Sequence, residues 1–181
     1  MAQTTTTPTE PIPPATAEAI RDWFGADPSR MTMMAARKFA VPEQTVLDAL
    51  VGQWPIVRLR EGGFRELMEG LPGLGTMRVF VRSKAAVIES VGGFGGYSES
   101  GPFFNVQTDT LDMHILYAEI KTIYAVEKTG HDSDFRTYSF QLFDHSGDAA
   151  FKAFLWQDFP KVPAEHIAAF NELARRLSET P

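Results

Sequence analysis

The apolar residues of this 181-residue chain change their spacing near residue 76, and that change limits the fold more than any single motif. Before it, apolar side chains recur every three to four residues, as on one face of a helix. After it, segments rich in Val, Ile, Phe, Tyr and Thr alternate with turn residues, which is typical of β-strands. These segments are residues 77–91, 103–109, 111–117, 119–128, 136–144 and 149–157. The chain therefore predicts an α+β fold with one antiparallel sheet of about six or more strands.

Helices are predicted on both sides of the strand-rich region. The first two begin at Ala15 and after Pro28, and the third follows Pro42. A short strand is predicted from Trp54 to Arg60. A last helix opens at Pro163 and carries an apolar stripe that should cover one face of the sheet.

The N-terminal segment has a different composition from the rest. Residues 1–14 are mostly Thr, Pro and polar residues, which bury too little apolar surface to offset the entropy lost on ordering. A disordered tail is therefore predicted over residues 1–14. The remaining length, residues 15–181, suits a single domain.

Composition excludes several classes of function. Asp and Glu outnumber Lys and Arg, and the formal net charge of −6 argues against a nucleic-acid partner. The chain has no cysteine, which excludes disulfides, thiolate nucleophiles and Cys-ligated metal sites. Apolar runs fall well short of the ~20 residues that cross a bilayer, and the N-terminus lacks the basic start and apolar run of a signal peptide. We therefore expect a cytoplasmic protein without membrane insertion.

The histidines are the main candidates for a metal ligand. They are His114, His131, His145 and His166, and their spacing does not suit a zinc site built from protein side chains alone. Only His114 lies inside a predicted strand, where alternation places it with Asp112 and Leu116 on the less apolar face. Such a histidine is either a hydrogen-bonded structural group or a ligand that lines a pocket. No nucleophile, paired-carboxylate or zinc-protease motif accompanies it.

Residues 92–96, Gly-Gly-Phe-Gly-Gly, form a glycine-rich segment without the order of a dinucleotide-binding or phosphate-binding loop. This segment has two possible interpretations. The segment is a turn between strands, or its backbone approaches a flat ligand closely, since glycine has no side chain.

Two long segments resemble the cytosolic haem-utilisation carriers of the ChuX/HutX kind. They are FFNVQTDTLDMHILYAEIKTIYAVEKT and DFRTYSFQLFDHSGDAAFKAFLW. The resemblance lies in a Phe-Asn after the glycine-rich segment, a Leu-x-x-His-Ile strand and a Gly-Asp-Ala-x-Phe-Lys-x-Phe hairpin. It extends over about residues 16–175. The same carriers are relatives of the half-domains of HemS-type haem-trafficking proteins.

The resemblance implies N-terminal helices and a C-terminal helix packed on a large antiparallel sheet, a homodimer, and haem as the bound ligand. The expected function is an intracellular carrier that receives haem after import and hands it to an accepting or degrading protein. A haem-degrading protein with an external reductant is one alternative. A module of the same fold that binds a non-haem ligand or only a protein is another.

The resemblance also suggests site residues, with iron held only through haem. His114 matches the strand histidine of the family and is the first candidate for the axial ligand. Other members often have a histidine in the glycine-rich segment and another two positions before the strand histidine. This chain has Gly96 or Tyr97 and Asp112 there, which makes Tyr97 the alternative ligand.

The remaining candidates are the pocket walls and the partners of the haem propionates. The candidate aromatic walls are Phe104, Phe154 and Trp156. Arg136 and Lys152 are the candidate cations, because a guanidinium or ammonium group complements a carboxylate.

Overall fold

The computed structural model describes residues 12–83, 85–131, 135–156 and 162–179. The helices are α1 (Pro14–Ala26), α2 (Thr32–Phe39), α3 (Glu43–Leu50), α4 (Phe64–Gly70) and α5 (Ala164–Leu177), and short 3₁₀ turns span Leu71–Leu74 and Tyr117–Glu119. The strands are β1 (Ile56–Arg58), β2 (Thr76–Arg82), β3 (Val87–Gly93), β4 (Ser98–Ser100), β5 (Phe103–Gln107), β6 (Asp112–Leu116), β7 (Ile120–Thr129), β8 (Arg136–Asp144) and β9 (Ala149–Leu155). The predicted α+β class is confirmed. Among the described residues, no helix has the length and apolar character needed to span a membrane.

The strands form two antiparallel sheets, where the sequence predicted one. The large sheet has the order β1-β7-β8-β9-β2-β3, and the small sheet has the order β4-β5-β6. The predicted hairpin of β8 and β9 is confirmed, with Ser139 opposite Phe154 and Gln141 opposite Lys152. Residues 77–91 divide into β2 and β3, because the Ser83 hydroxyl accepts hydrogen bonds from the following backbone and turns the chain.

Several predicted boundaries shift by a few residues. The predicted strand Trp54–Arg60 shortens to Ile56–Arg58, and α1 begins at Pro14. The segment 149–157 ends as a strand at Leu155. Residue 157, together with residues 1–11 of the predicted tail, lies outside the described residues.

The large sheet buries apolar side chains on both faces. On one face, which we call the α5 face, Tyr138, Phe140 and Leu142 join a core with α4, α5 and the small sheet. The Phe140 and Phe170 rings lie 4.7 Å apart between their centroids, so α5 covers this face as predicted. On the opposite face, which we call the α1–α3 face, Tyr124 and Phe143 pack in a second core with the N-terminal helices.

The glycine-rich segment joins the two sheets. Gly96 has a φ of +57°, and a Cβ atom added there would lie 1.9 Å from the carbonyl oxygen of Gln107 in β5. The Gln107 N–H also donates to the carbonyl of Gly95 at 3.3 Å. The close backbone approach at this segment is therefore to a strand of the same chain, which brings the small sheet against the end of β3.

The substitution Gly96→Ala should destabilise the protein much more than Gly101→Ala. Both glycines have nearly the same positive φ, +57° and +58°, so an alanine at either site adds a conformational strain of about 1–2 kcal/mol. Only Gly96 also faces a backbone clash, since the space around Gly101 is open. We expect Gly96→Ala to lower the free energy of unfolding in urea by about 3 kcal/mol or more. Equal losses for the two variants would show that the approach to Gln107 is not tight.

Candidate functional site

His114 stands in the middle of β6, on the surface of the small sheet that faces away from the core. Its neighbours along the strand, Asp112 and Leu116, are exposed with it, whereas Ile115 is buried. The predicted alternation of this strand is therefore present in the structure. Its imidazole is held by Asn105, the residue directly opposite on β5, and the distance from Nδ1 to Oδ1 is 2.7 Å.

A chain of hydrogen bonds fixes which ring nitrogen carries the proton. The Ser98 hydroxyl donates to the Gln107 side-chain oxygen at 3.3 Å and accepts from the Asn105 amide nitrogen at 3.1 Å. Asn105 therefore presents its oxygen to His114, and the imidazole Nδ1–H donates to it. In this tautomer the free electron pair lies on Nε2.

The surroundings of Nε2 are open and mixed in character. The His114 side chain is 58% exposed, and Asp112 Oδ1 lies 3.7 Å from Nε2. Phe103 presents its ring edge-on at 6.2 Å between centroids, and Leu116 is 44% exposed on the same surface. This surface offers a nitrogen donor to a metal ion next to apolar area, and Asn105 holds the ring in place from behind.

Tyr97 and Phe104 point to the other side of the small sheet. The Tyr97 hydroxyl donates to the carbonyl of Met68 in α4 at 2.5 Å, and its ring packs on Phe104. Burial raises the pKa of Tyr97 to about 12. Since tyrosine binds iron as the phenolate, this arrangement disfavours Tyr97 as a ligand. Phe104 is itself buried and contacts Phe64 in the core.

Lys152, Phe154 and Trp156 lie together on the α1–α3 face of the large sheet. The Phe154 ring packs edge-on against Phe80 at 5.0 Å between centroids. The Trp156 ring lies under the guanidinium group of Arg78, whose carbon is 4.2 Å from the ring centroid. The structure thus brings these three candidates together, but on a different surface from His114.

Both predicted propionate partners are paired with carboxylates of the protein. Lys152 Nζ lies 2.5 Å from Glu43 Oε1 in α3, which also accepts a hydrogen bond from Thr32. Burial alone would raise the pKa of Glu43, but the charge and hydrogen bond of Lys152, with the hydrogen bond from Thr32, lower it below its ordinary value. Arg136 pairs with Glu127 across β7 and β8 at 3.0 Å.

Lys128 is a second lysine on the α1–α3 face. Its ammonium group donates to the backbone carbonyls of Thr129 at 2.8 Å and Ser29 at 3.2 Å. Burial, with repulsion from Lys152, lowers the pKa of Lys128 to about 8. This part of the sheet therefore holds positive charge at a cost to the folded state.

The structure thus separates the candidates. His114 stands on the outer side of the small sheet, Tyr97 and Phe104 lie on its core side, and Lys152, Phe154 and Trp156 form an aromatic, cationic surface on the α1–α3 face. Asn105 is the partner that sequence reasoning did not identify. The sequence does contain a signal for this pair. A turn at residues 108–110 pairs the segments 103–107 and 112–116, so that Asn105 lies opposite His114. Across the described parts of the chain, no three His, Asp or Glu side chains come close enough together to hold a metal ion.

The sequence matches a family model, and the fold matches several solved structures. The family model for haem utilisation, ChuX/HutX, matches residues 57–173. No protein of curated function matches the sequence.

Three solved structures illustrate the shared fold. A protein from Erwinia carotovora superposes with a TM-score of 0.80 at 20% identity, over 88% of this chain and 98% of its own. The heme binding protein ChuX superposes with a TM-score of 0.78 at 19% identity, over 87% of this chain and 98% of its own. Holo-PhuS, a heme-binding protein from Pseudomonas aeruginosa, has a TM-score of 0.75 at 24% identity, over 92% of this chain and 46% of PhuS. The chain is thus similar to about half of PhuS.

The buried ammonium group of Lys128 predicts a specific pH dependence of stability. Its pKa is about 8 in the folded protein against 10.5 for an ordinary lysine, so the unfolded chain binds more protons between those pH values. The free energy of unfolding therefore increases with pH between about 8 and 10.5. We expect the Lys128→Met variant to lose this rise in urea unfolding measured over that range, whereas Lys38→Met, at an exposed position, keeps it. Parallel pH profiles of Lys128→Met and the unmodified protein would contradict the assignment.

Proposed function

The chain belongs to the ChuX/HutX haem utilisation family, and from that premise we propose that it is a cytoplasmic haem-binding carrier. It acts as a homodimer and hands haem to an accepting or degrading protein. The observation that carries the proposal is the hydrogen bond between His114 Nδ1 and Asn105 Oδ1. It leaves a histidine nitrogen free at an exposed surface.

The Asn105–His114 pair suits the chemistry of the cargo. Haem, when bound, supplies an iron that accepts an axial imidazole nitrogen. A hydrogen bond to the opposite ring nitrogen orients the imidazole and makes the free nitrogen a better donor. Asn105 is buried and fixed by Ser98, so it holds the ring without a large loss of entropy when the ligand arrives.

The surroundings of His114 suit transient binding. Phe103 and Leu116 supply apolar contact for one part of a porphyrin, and the rest of the ring would remain open. A carrier must release its cargo to an acceptor, so a ligand on an exposed strand is more useful to it than a closed pocket. In a homodimer, the second copy can supply further apolar area over the same surface.

The Phe154–Trp156 surface is the second candidate location for haem. Its aromatic rings and its cations, Lys152 and Arg78, have the chemistry that a porphyrin with propionates requires. Lys152 is already bound to Glu43, whose side chain is only 10% exposed, so a propionate there must displace a buried carboxylate. This competition favours the His114 surface.

Haemin titration of three variants tests the site. We expect the unmodified protein to bind about one haemin per chain, with a shift of the Soret absorption. His114→Ala should lose that shift and weaken binding by about tenfold or more, because it removes the only bond to iron that we assign. Tyr97→Phe and Phe154→Ala should behave like the unmodified protein. An unchanged spectrum for His114→Ala would reject the ligand, and loss in one of the other two would identify the alternative surface.

A second experiment separates transport from degradation. We expect haem-loaded protein to pass its haem to apomyoglobin and to keep its Soret absorption when ascorbate is added without an acceptor. Loss of the Soret band with formation of an open-chain tetrapyrrole would instead establish haem degradation. If haemin does not bind at all, the protein is a non-haem member of the fold.

A further inference from the structure

A separate cleft of about 240 Å³ lies beside the 3₁₀ turn that follows β6. We call it the Tyr117 cleft. It is formed by the β1–α4 connection, the start of α4 and the start of β7. Its lining residues are Leu59, Arg60, Glu61, Gly62, Gly63, Phe64, Arg65, Tyr117, Ile120, Lys121 and Ile123. The lining includes none of the residues that we assign to haem.

The floor of the cleft is aromatic and aliphatic. The rings of Phe64 and Tyr117 stack with centroids 6.1 Å apart and planes inclined by 19°. Leu59 and Ile123 are buried beside them. Phe64 is only 8% exposed, so Tyr117 supplies most of the aromatic surface on which a small planar molecule loses water and gains contact.

The rim of the cleft carries both cations and an anion. Of its lining residues, three are cations and only Glu61 is an anion. The guanidinium carbon of Arg65 lies 5.1 Å from the centroid of the Tyr117 ring, and two hydrogen bonds to Glu99 hold it there. Arg60 forms an ion pair with Glu66. Both guanidinium groups are thus fixed in place by carboxylates outside the cleft.

Lys121 differs from the two arginines because its partner belongs to the cleft. Its Nζ lies 2.6 Å from Glu61 Oε1, and the Glu61 side chain is 81% exposed. The hydrogen bond and charge of Lys121 lower the pKa of Glu61, so this carboxylate is ionised at neutral pH. An exposed ion pair of this kind contributes little stability, and another anion can replace its carboxylate at small cost.

We propose that the Tyr117 cleft binds a small aromatic anion, whose ring lies on Phe64 and Tyr117 and whose acidic group replaces Glu61 at Lys121. The volume suits a molecule of one or two rings and is too small for a porphyrin. The contact with Lys121 requires an acidic group, which favours an anion over a neutral or cationic ring. Glu61 then acts as an internal competitor that fills the anion position in the absence of the ligand. This site does not depend on haem binding at His114.

Titration with naphthalene-1-sulfonate, a two-ring aromatic anion, tests the proposal by calorimetry. We expect one saturable site per chain. Lys121→Gln should weaken binding by about fivefold to tenfold, because a charge-assisted contact is lost. Glu61→Gln should strengthen it by about threefold, because the competitor for Lys121 is removed. Lys38→Gln, which removes an exposed lysine elsewhere, should change nothing.

An uncharged probe and the haem variant provide the controls. 1-Naphthol has the same two rings without the sulfonate and is uncharged at neutral pH, so its affinity should be the same for Lys121→Gln and the unmodified protein. The sulfonate should also bind His114→Ala normally, and one equivalent of haemin should not displace it. Equal sulfonate affinities for Lys121→Gln and Lys38→Gln would overturn the proposal. Displacement by one equivalent of haemin would overturn it as well, since the cleft would then be part of the haem site.

Discussion

The large sheet is apolar on both faces. The other elements of the fold are arranged so that both faces are covered. Phe140 on one face and Tyr124 and Phe143 on the other are essentially inaccessible to water, which one layer of helices cannot achieve for a six-stranded sheet. The N-terminal helices cover one face. The other face is covered by α4, α5 and the small sheet, whose inner side chains, such as Phe104, belong to the same core. His114 stands on the opposite side of that small sheet and is therefore exposed.

The protein has buried and exposed ion pairs, and the two kinds have different roles. Glu43 and Lys152 join α3 to β9 in a nearly dry environment, where removing either partner would leave an uncompensated charge. Lys121 and Glu61 meet in water, where the pair is weak and exchangeable. Buried pairs of the first kind fix the N-terminal helices on the sheet. Pairs of the second kind leave charged groups available to ligands.

Local patterns predicted the local parts of the fold. The alternation around Tyr138, the turn before β9 and the strand that carries His114 all depend on neighbours in sequence, and the structure has each of them. The division into two sheets was not predicted, because it depends on pairings between strands that are far apart in sequence, such as β2 with β9. The partner of Lys152 is 109 residues away, so no local pattern indicates that this lysine is engaged. Residue type suggested the candidates, and only tertiary contacts show that they do not share one surface.

The charge around His114 bears on how strongly the proposed carrier holds its cargo. Asp112 lies 3.7 Å from the free nitrogen, and the chain as a whole carries a net charge of −6. Haem brings two propionates, so both features oppose its binding, and the cations first suggested as propionate partners lie elsewhere, in pairs with Glu43 and Glu127. For the proposed function, a bond to His114 and apolar contact with Phe103 and Leu116 have to outweigh this repulsion. A balance of that kind gives a moderate affinity, which lets an acceptor with a closed, apolar pocket take the haem.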